Sequence, residues 1–156
     1  MGRLMYVDAS ALIAILHQEP DWPRFKEAIE QAREELLVSS LTIFEAATGL
    51  ARARLGRSPR KNTTDELRLA EAAVRSLIES LDIREIELSR EVGRLALETA
   101  AKYGKAVGHP AGLNFGDCFA YACASFHRTS LLFKGDDFSK TDIANGARPA
   151  SGEDAS

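Results

Sequence analysis

The sequence predicts an α/β protein with helices on both sides of a mainly parallel sheet of four to five strands. Short apolar runs alternate with longer helical segments, and helix caps or turn residues separate them. A length of 156 residues, 45% of them hydrophobic and 28% charged, is typical of one globular domain. We predict one domain over residues 1–144. Residues 145–156, rich in Gly, Ala, Ser, Pro and acid, are predicted to form a flexible polar tail.

The predicted elements follow one another with short connections. Apolar runs of strand length occupy residues 4–7, 36–38, 83–88 and 131–133, and helical segments occupy 9–17, 22–32, 63–81, 89–104 and 114–127. A further helix starts at Ser39, Ser40 or Thr42 and stops before Gly56. In such a fold the loops at the carboxyl ends of the strands form the ligand site. We therefore expect the functional residues in those loops.

Three acidic residues fall at this predicted edge. Asp8 follows the first strand, and Asp136 follows the last strand. Asp117 lies in the first turn of the helix that Asn114 caps. Each also has a purely local interpretation, as a strand end, a turn residue or a helix cap. Composition and spacing alone leave both interpretations open.

Glu45 is a fourth candidate, and its place depends on how the third helix packs. The line Glu45, Gly49, Arg52 lies on one helix face, and the missing side chain at Gly49 would allow this face to approach the sheet edge closely. Glu45 also lies three residues after Thr42, which is the spacing of a capping box. Its geometry is therefore the least secure of the four.

A cluster of carboxylates without convergent His or Cys favours Mg²⁺, with Mn²⁺ as the alternative, over zinc. A phosphodiester is the natural substrate of such a site, because the metal activates water and stabilises the leaving oxygen. Mutual repulsion should raise the pKa of some of these carboxylates when no metal is bound. Activity should therefore fall in acid.

Other features exclude several classes of protein. A net charge of −3 argues against a general nucleic-acid coat protein. No apolar run approaches the ~20 residues of a membrane helix, so we expect a cytosolic protein. Cys118 and Cys123 have neither disulfide nor zinc spacing. The motifs of P-loop NTPases, serine hydrolases and dinucleotide-binding proteins do not occur.

The segments around the four acids resemble signature segments of the PIN-domain family. These segments are YVDASAL at 6–12, LTIFEAA at 41–47, HPAGLNFGDCFAYA at 109–122 and LFKGDDF at 132–138. Their order and separations also agree with the family. The last two are the most specific and look like those of VapC-type toxins. The similarity covers residues 4–143.

The resemblance implies a PIN-like three-layer α/β/α fold and a ribonuclease toxin, which a cognate antitoxin protein restrains. Transfer RNA is the substrate expected by analogy with the family. Matched by position, the acidic triad is Asp8, Glu45 and Asp117, the more variable fourth acid is Asp136 with Asp137 as its rival, and the small hydroxyl residue near the metal is Ser10. Relatives commonly form homodimers, for which the apolar residues Leu12, Ile13 and Leu16 are candidates to pack.

Two further groups of residues have competing interpretations. A basic cluster, which we define as Arg52, Arg54, Arg57, Arg60 and Lys61, could contact RNA phosphates or antitoxin carboxylates, or could be a solvated helix end. The second group, Phe115, Phe119, Ala122 and Phe126, recurs at helical spacing. We assign it to core packing and not to base stacking.

Three alternative functions remain for comparison. A catalytically idle PIN module would serve only as a binding partner, and the four intact acids disfavour it. A haloacid-type phosphatase needs a second Asp two residues after the first, where this chain has Ser10. Cleavage of DNA stays open, because carboxylate–metal chemistry acts on the phosphodiester and not on the sugar.

Overall fold

The computed structural model describes residues 4–32, 35–143 and 145–146. Its strands are β1 (Leu4–Val7), β2 (Glu35–Ser39), β3 (Arg84–Ile86) and β4 (Ser130–Leu132). Its helices are α1 (Ala9–Leu16), α2 (Trp22–Gln31), α3 (Ser40–Arg54), α4 (Thr64–Ser80), α5 (Arg90–Tyr103) and α6 (Phe115–Phe126). Short 3₁₀ turns occupy Lys105–Val107 and Asp137–Lys140. No helix in the described ranges is long and apolar enough to cross a membrane.

The four described strands form one parallel sheet in the order β3-β2-β1-β4. Tyr6 of β1 pairs with Leu37 of β2 on one side and with Leu131 of β4 on the other. Met5 and Val7 point into a core shared with α1 to α4, whereas Tyr6 points into a second core shared with α5 and α6. The predicted three-layer α/β/α fold is therefore confirmed.

Local side-chain caps explain where several helices begin. Ser89 and Asn114 cap α5 and α6 as predicted. Thr63 and Glu66 form a reciprocal capping box at α4. These three starts depend on residues close in the chain, which is why the sequence identifies them.

The predicted capping box between Thr42 and Glu45 is wrong. Ser39 caps α3, because its hydroxyl accepts a hydrogen bond from the Thr42 backbone N–H at 3.3 Å. The Thr42 hydroxyl is instead hydrogen-bonded to the buried Tyr6 hydroxyl at 2.7 Å. The Glu45 side chain therefore does not cap α3.

The predicted tail begins later than residue 145. Asn145 forms an isolated parallel bridge with Leu131. The backbone N–H of Gly146 donates to the Leu131 carbonyl at 2.9 Å. These two residues are therefore tied to the edge strand β4, and the rest of the predicted tail, 147–156, lies outside the described residues.

Candidate active site

Asp8 lies where β1 meets α1, at the carboxyl edge of the sheet. Its buried carboxylate caps α1 by accepting hydrogen bonds from the backbone N–H of Ser10 at 3.1 Å and from the Ser10 hydroxyl at 2.5 Å. The Ser10 hydroxyl in turn accepts from the backbone N–H of Lys134 at 2.9 Å. Ser10 therefore fixes the Asp8 carboxylate relative to the end of β4, as its predicted place beside the acids requires.

Glu45 reaches the same edge from the first turns of α3. Its carboxylate lies against Gly116 of α6, since a Cβ atom added at Gly116 would overlap both carboxylate oxygens. The predicted close approach at Gly49 is also found, because a Cβ atom there would lie 2.5 Å from Cδ1 of Ile13 in α1. Two glycines thus allow α3 to pack closely enough for Glu45 to join the site.

Asp117 forms the predicted local cap, and this cap leaves its place at the site possible. The backbone N–H of Asn114 donates to Oδ2 of Asp117 at 3.0 Å, and the backbone N–H of Asp117 donates to Oδ1 of Asn114 at 2.9 Å. This capping box engages one carboxylate oxygen of Asp117. The same side chain can therefore hold the start of α6 and offer its other oxygen to a ligand.

The charges of these acids act on one another. Burial, followed by the charges of Asp8 and Asp117, raises the pKa of Glu45 to about 7. Burial raises the pKa of Asp117 to about 6, opposed by the hydrogen bond from Asn114 and aided by the charge of Asp8. Burial also raises the pKa of Asp8, although the Ser10 hydrogen bonds oppose it. Ionising all three carboxylates at once is unfavourable, so a bound cation would stabilise their charged forms.

Asp136 and Asp137 lie in the turn after β4. Both are exposed, and Asp136 directly precedes the 3₁₀ turn that begins at Asp137, without a capping hydrogen bond from its side chain. Gly135, with φ of +96°, permits the reversal of the chain before them. The charge of Asp137 contributes to the raised pKa of both Asp8 and Asp117. Of the two rivals for the fourth acid, Asp137 is thus the one whose charge acts on the site.

The donor set fits a hydrated divalent cation. In the described part of the chain, no three His, Cys, Asp or Glu side chains stand close enough together to hold an ion by direct contacts alone. Mg²⁺ keeps several waters and takes only one or two protein carboxylates plus substrate phosphate. The hard oxygen donors therefore suit a partly hydrated Mg²⁺ or Mn²⁺ better than zinc.

Sequence reasoning missed the side chain of Lys134, which also lies in the turn after β4. Its ammonium group forms ion pairs with Glu19 and with Asp21, the latter at 3.0 Å. These contacts join the α1–α2 loop to the turn that carries Asp136 and Asp137. The sequence offered no local signal, because more than 110 residues separate the partners.

Replacing Gly116 by alanine is expected to reduce any activity of this site by about 10- to 100-fold, because the added methyl group would displace the Glu45 carboxylate. The measurement is the cleavage rate, together with thermal unfolding. Gly93→Ala is the control for stability, since the added Cβ at this helical glycine meets nothing within 4 Å. A fully active Gly116→Ala protein would show that the observed position of Glu45 is not needed.

Two surface assignments made from the sequence need correction. Phe115 and Phe126 are 70% and 45% exposed and do not belong to the core, whereas Ala122 is buried. Leu12 is fully buried and cannot take part in the predicted dimer surface, whereas Ile13 and Leu16 are only partly buried against the same core, so for these two the surface stays a prediction. In the basic cluster, the Arg60 guanidinium forms a bidentate ion pair with the Glu66 carboxylate, with N···O distances of 2.7 and 2.9 Å.

A parallel α/β/α sandwich with carboxylates gathered at the carboxyl edge is the class that the fold and the site define. A family model for the PIN domain matches residues 5–144. A VapC ribonuclease of Rhizobium meliloti is 40% identical over 144 residues, which cover 90% of this chain and 99% of that protein. Ribonuclease VapC30 of Mycobacterium tuberculosis is 40% identical over 145 residues, which cover 93% of this chain and 100% of that protein.

A solved structure shares the fold. The crystal structure of VapC20 of Mycobacterium tuberculosis, described as a toxin that cleaves the sarcin–ricin loop, matches with a TM-score of 0.67 at 18% identity. The match covers 90% of this chain and 96% of that chain. The chain therefore belongs to the PIN-domain family, and within it to the VapC-type ribonuclease toxins.

Proposed function

We propose that this protein is the toxin of a type II toxin–antitoxin pair and that it hydrolyses RNA phosphodiester bonds with Mg²⁺, or with Mn²⁺ in its place. The observation that carries the proposal is the group of Asp8, Glu45 and Asp117 at the carboxyl edge of the sheet, where burial raises the pKa of all three and the charge of Asp8 raises those of Glu45 and Asp117 further. These three residues and one acid of the turn after β4 would hold the metal.

The contacts of each residue indicate what it would do at the site. Ser10 orients the Asp8 carboxylate, and Gly116 leaves the space that the Glu45 carboxylate fills. Asp117 is held in place by the start of α6. When bound, a divalent ion supplies activation of water and neutralises charge on the phosphate. The expected products carry 5′-phosphate and 3′-hydroxyl ends.

The proposed substrate and partners are inferred from the relatives. We propose a structured RNA such as transfer RNA, and the relative that cleaves the sarcin–ricin loop supports a target of this kind. A cognate antitoxin and a cytoplasmic location follow from the same family membership. A homodimer stays a prediction, and the fully buried Leu12 would not contact the second copy.

The test is cleavage of total cellular RNA by the purified protein, freed of antitoxin, with Mg²⁺, with Mn²⁺ and with a chelator. We expect cutting that the chelator abolishes and that either metal restores. A folded protein that cuts no RNA under any of these conditions would instead support the idle binding module. Parallel reactions on single-stranded DNA would show whether the 2′-hydroxyl matters.

The fourth acid can be assigned with a matched pair of variants. Asp137→Asn is expected to raise the metal concentration for half-maximal cleavage by about tenfold, because its charge acts on Asp8 and Asp117. Asp136→Asn should raise it less, since the charge of Asp136 does not contribute to the raised pKa of Asp8, Glu45 or Asp117. The measurement is a metal titration of the cleavage rate, and a larger effect of Asp136→Asn would reverse the assignment.

A further inference from the structure

Lys134 lies two residues after β4, at the start of the turn that carries the two candidates for the fourth acid. Its backbone N–H donates to the Ser10 hydroxyl at 2.9 Å. Its ammonium group forms ion pairs with Glu19 and with Asp21, the latter at 3.0 Å. Ser10 is the second residue of α1, and the two acids lie in the loop after that helix. Lys134 therefore joins the start of the turn to both ends of α1.

The carboxylates that bind Lys134 belong to a loop with an ordered backbone. The backbone N–H of Glu19 donates to the Ala14 carbonyl at 3.0 Å, and the Glu19 carbonyl accepts from the Trp22 backbone N–H at 2.8 Å. Asp21 directly precedes α2. An isolated ion pair at the surface stabilises a protein little, because two long side chains must lose conformational freedom. Here one ammonium group binds two partners on an ordered loop, so less freedom is lost for each contact.

A glycine separates Lys134 from the acids of the turn. Gly135 has φ of +96°, a conformation that other residues rarely adopt, and a glycine restrains the direction of the chain little. On the far side of the acids, the buried Phe138 packs edge-to-face against Phe133, with the ring centroids 5.0 Å apart. The acids are therefore held between two anchors, the Lys134 side chain before them and the Phe138 ring after them.

The contacts of Lys134 indicate an effect on position and not a direct effect of its charge. The charge of Asp137 contributes to the raised pKa of Asp8 and of Asp117. No cation in the described part of the chain contributes to the raised pKa of Asp8, Glu45 or Asp117. The ammonium charge of Lys134 is instead balanced by the carboxylates of the α1–α2 loop.

We propose that Lys134 is a positioning residue for the metal, because its two ion pairs hold the turn that brings Asp137 to the other carboxylates. The proposal rests on the proposed metal-dependent function. Without the ion pairs the turn would keep its Phe138 anchor, but Gly135 would let the acids move away from the site. Residues that orient a metal ligand affect metal affinity although they do not touch the ion.

The test measures Mn²⁺ binding to the purified protein without RNA, by the electron paramagnetic resonance signal of the unbound ion. Lys134→Met keeps an unbranched side chain and removes the charge, and Lys134→Arg keeps the charge. Lys134→Met is expected to weaken Mn²⁺ binding about fivefold, and Lys134→Arg should bind nearly as the wild type does. Lys26→Met is the matched control and should leave binding unchanged, since Lys26 forms a single exposed ion pair, with Glu30 at 3.5 Å on α2.

A second set of variants separates positioning from a general effect on the fold. In an Asp137→Asn protein the acid that Lys134 positions is gone, so adding Lys134→Met should change Mn²⁺ binding by less than about twofold. Replacing both partners, by Glu19→Gln together with Asp21→Asn, should reproduce the defect of Lys134→Met. Adding Lys134→Met to that pair should weaken binding no further. Thermal unfolding shows that each variant is folded.

The outcomes that overturn the proposal are distinct. A defect of Lys134→Met that persists undiminished in the Asp137→Asn protein would show that Lys134 acts through another contact. Wild-type binding by Lys134→Met, or no Mn²⁺ binding by the wild type, would overturn the proposal as well. Because no RNA is present, a wild type that binds Mn²⁺ but cuts no RNA would refute the proposed ribonuclease activity, while the binding comparison still decides the role of Lys134.

Discussion

Replacing Asp8 or Asp117 by asparagine is expected to slow RNA cleavage by more than about 100-fold while the fold is retained. Asparagine removes the negative charge but keeps an oxygen in the same place. Asn at position 8 can still accept from Ser10 and cap α1, and Asn at position 117 can still accept from Asn114. The measurement is the single-turnover cleavage rate at saturating Mg²⁺, with circular dichroism to check the fold.

The control for this loss is an acid with the same local role elsewhere. Asp65 lies exposed in the first turn of α4, as Asp117 lies in the first turn of α6. Asp65→Asn should therefore cost a few tenths of a kcal/mol of helix stability and leave cleavage unchanged. Wild-type cleavage by either site variant would exclude that carboxylate from the chemistry.

The acids near strand ends and helix starts could be found from the sequence because their positions follow from local patterns. The end of β1 fixes Asp8, and the Asn114 cap fixes Asp117. In these two cases the sequence proved informative because a cap is formed by residues three or fewer apart. The local interpretation of Asp117 as a helix cap is confirmed, and it is compatible with a place at the site, because the cap engages only one carboxylate oxygen.

Glu45 shows why the rest needed the tertiary structure. Three hydroxyl residues, Ser39, Ser40 and Thr42, could each cap α3, and the sequence could not tell that the buried Tyr6 hydroxyl would engage Thr42 while Ser39 forms the cap. The contact that places Glu45 is with Gly116, 71 positions later in the chain, and nothing in the local pattern points to it. The face with Gly49 made a place for Glu45 at the site possible, and the family resemblance alone gave a positive reason to expect it there.

Burial was harder to predict than helix boundaries. Periodicity identifies which residues share a helix face, but it does not tell how far a neighbouring helix covers that face. Leu12 is fully buried because α1 lies among α2, α3 and α4. Phe115 shares the α6 periodicity, yet it is the first residue of the helix, and 70% of it is exposed. Part of the α6 face that periodicity assigned to the core is therefore exposed to solvent.

Cleavage at limiting Mg²⁺ is expected to fall steeply as the pH drops from 7.5 to 5.5. Glu45, with its pKa raised to about 7, takes up a proton first, and Asp117, with its pKa raised to about 6, follows. Each protonation competes with metal binding, so the rate should fall about tenfold per pH unit below 7 and more steeply below 6. Raising the Mg²⁺ concentration should move the whole profile to lower pH, which a pH series at two metal concentrations measures.

The metal-free protein should instead become less stable as the pH rises. The raised pKa values mean that ionising these carboxylates costs more free energy in the folded state than in the unfolded state. The penalty of ionising Glu45 is absent below its ordinary pKa of 4.5, grows as the pH rises, and is complete above about 7. After allowance for solvent screening it amounts to about 1 kcal/mol, or a few degrees in Tm. Without metal the Tm should therefore decline between pH 5 and 7.5, Glu45→Gln should reduce that decline, and Mg²⁺ should restore the Tm of the wild type at pH 7.5. A Glu45→Gln protein whose Tm declines as steeply as that of the wild type would show that Glu45 ionises without hindrance, and that repulsion among the three carboxylates does not prepare the site for a cation.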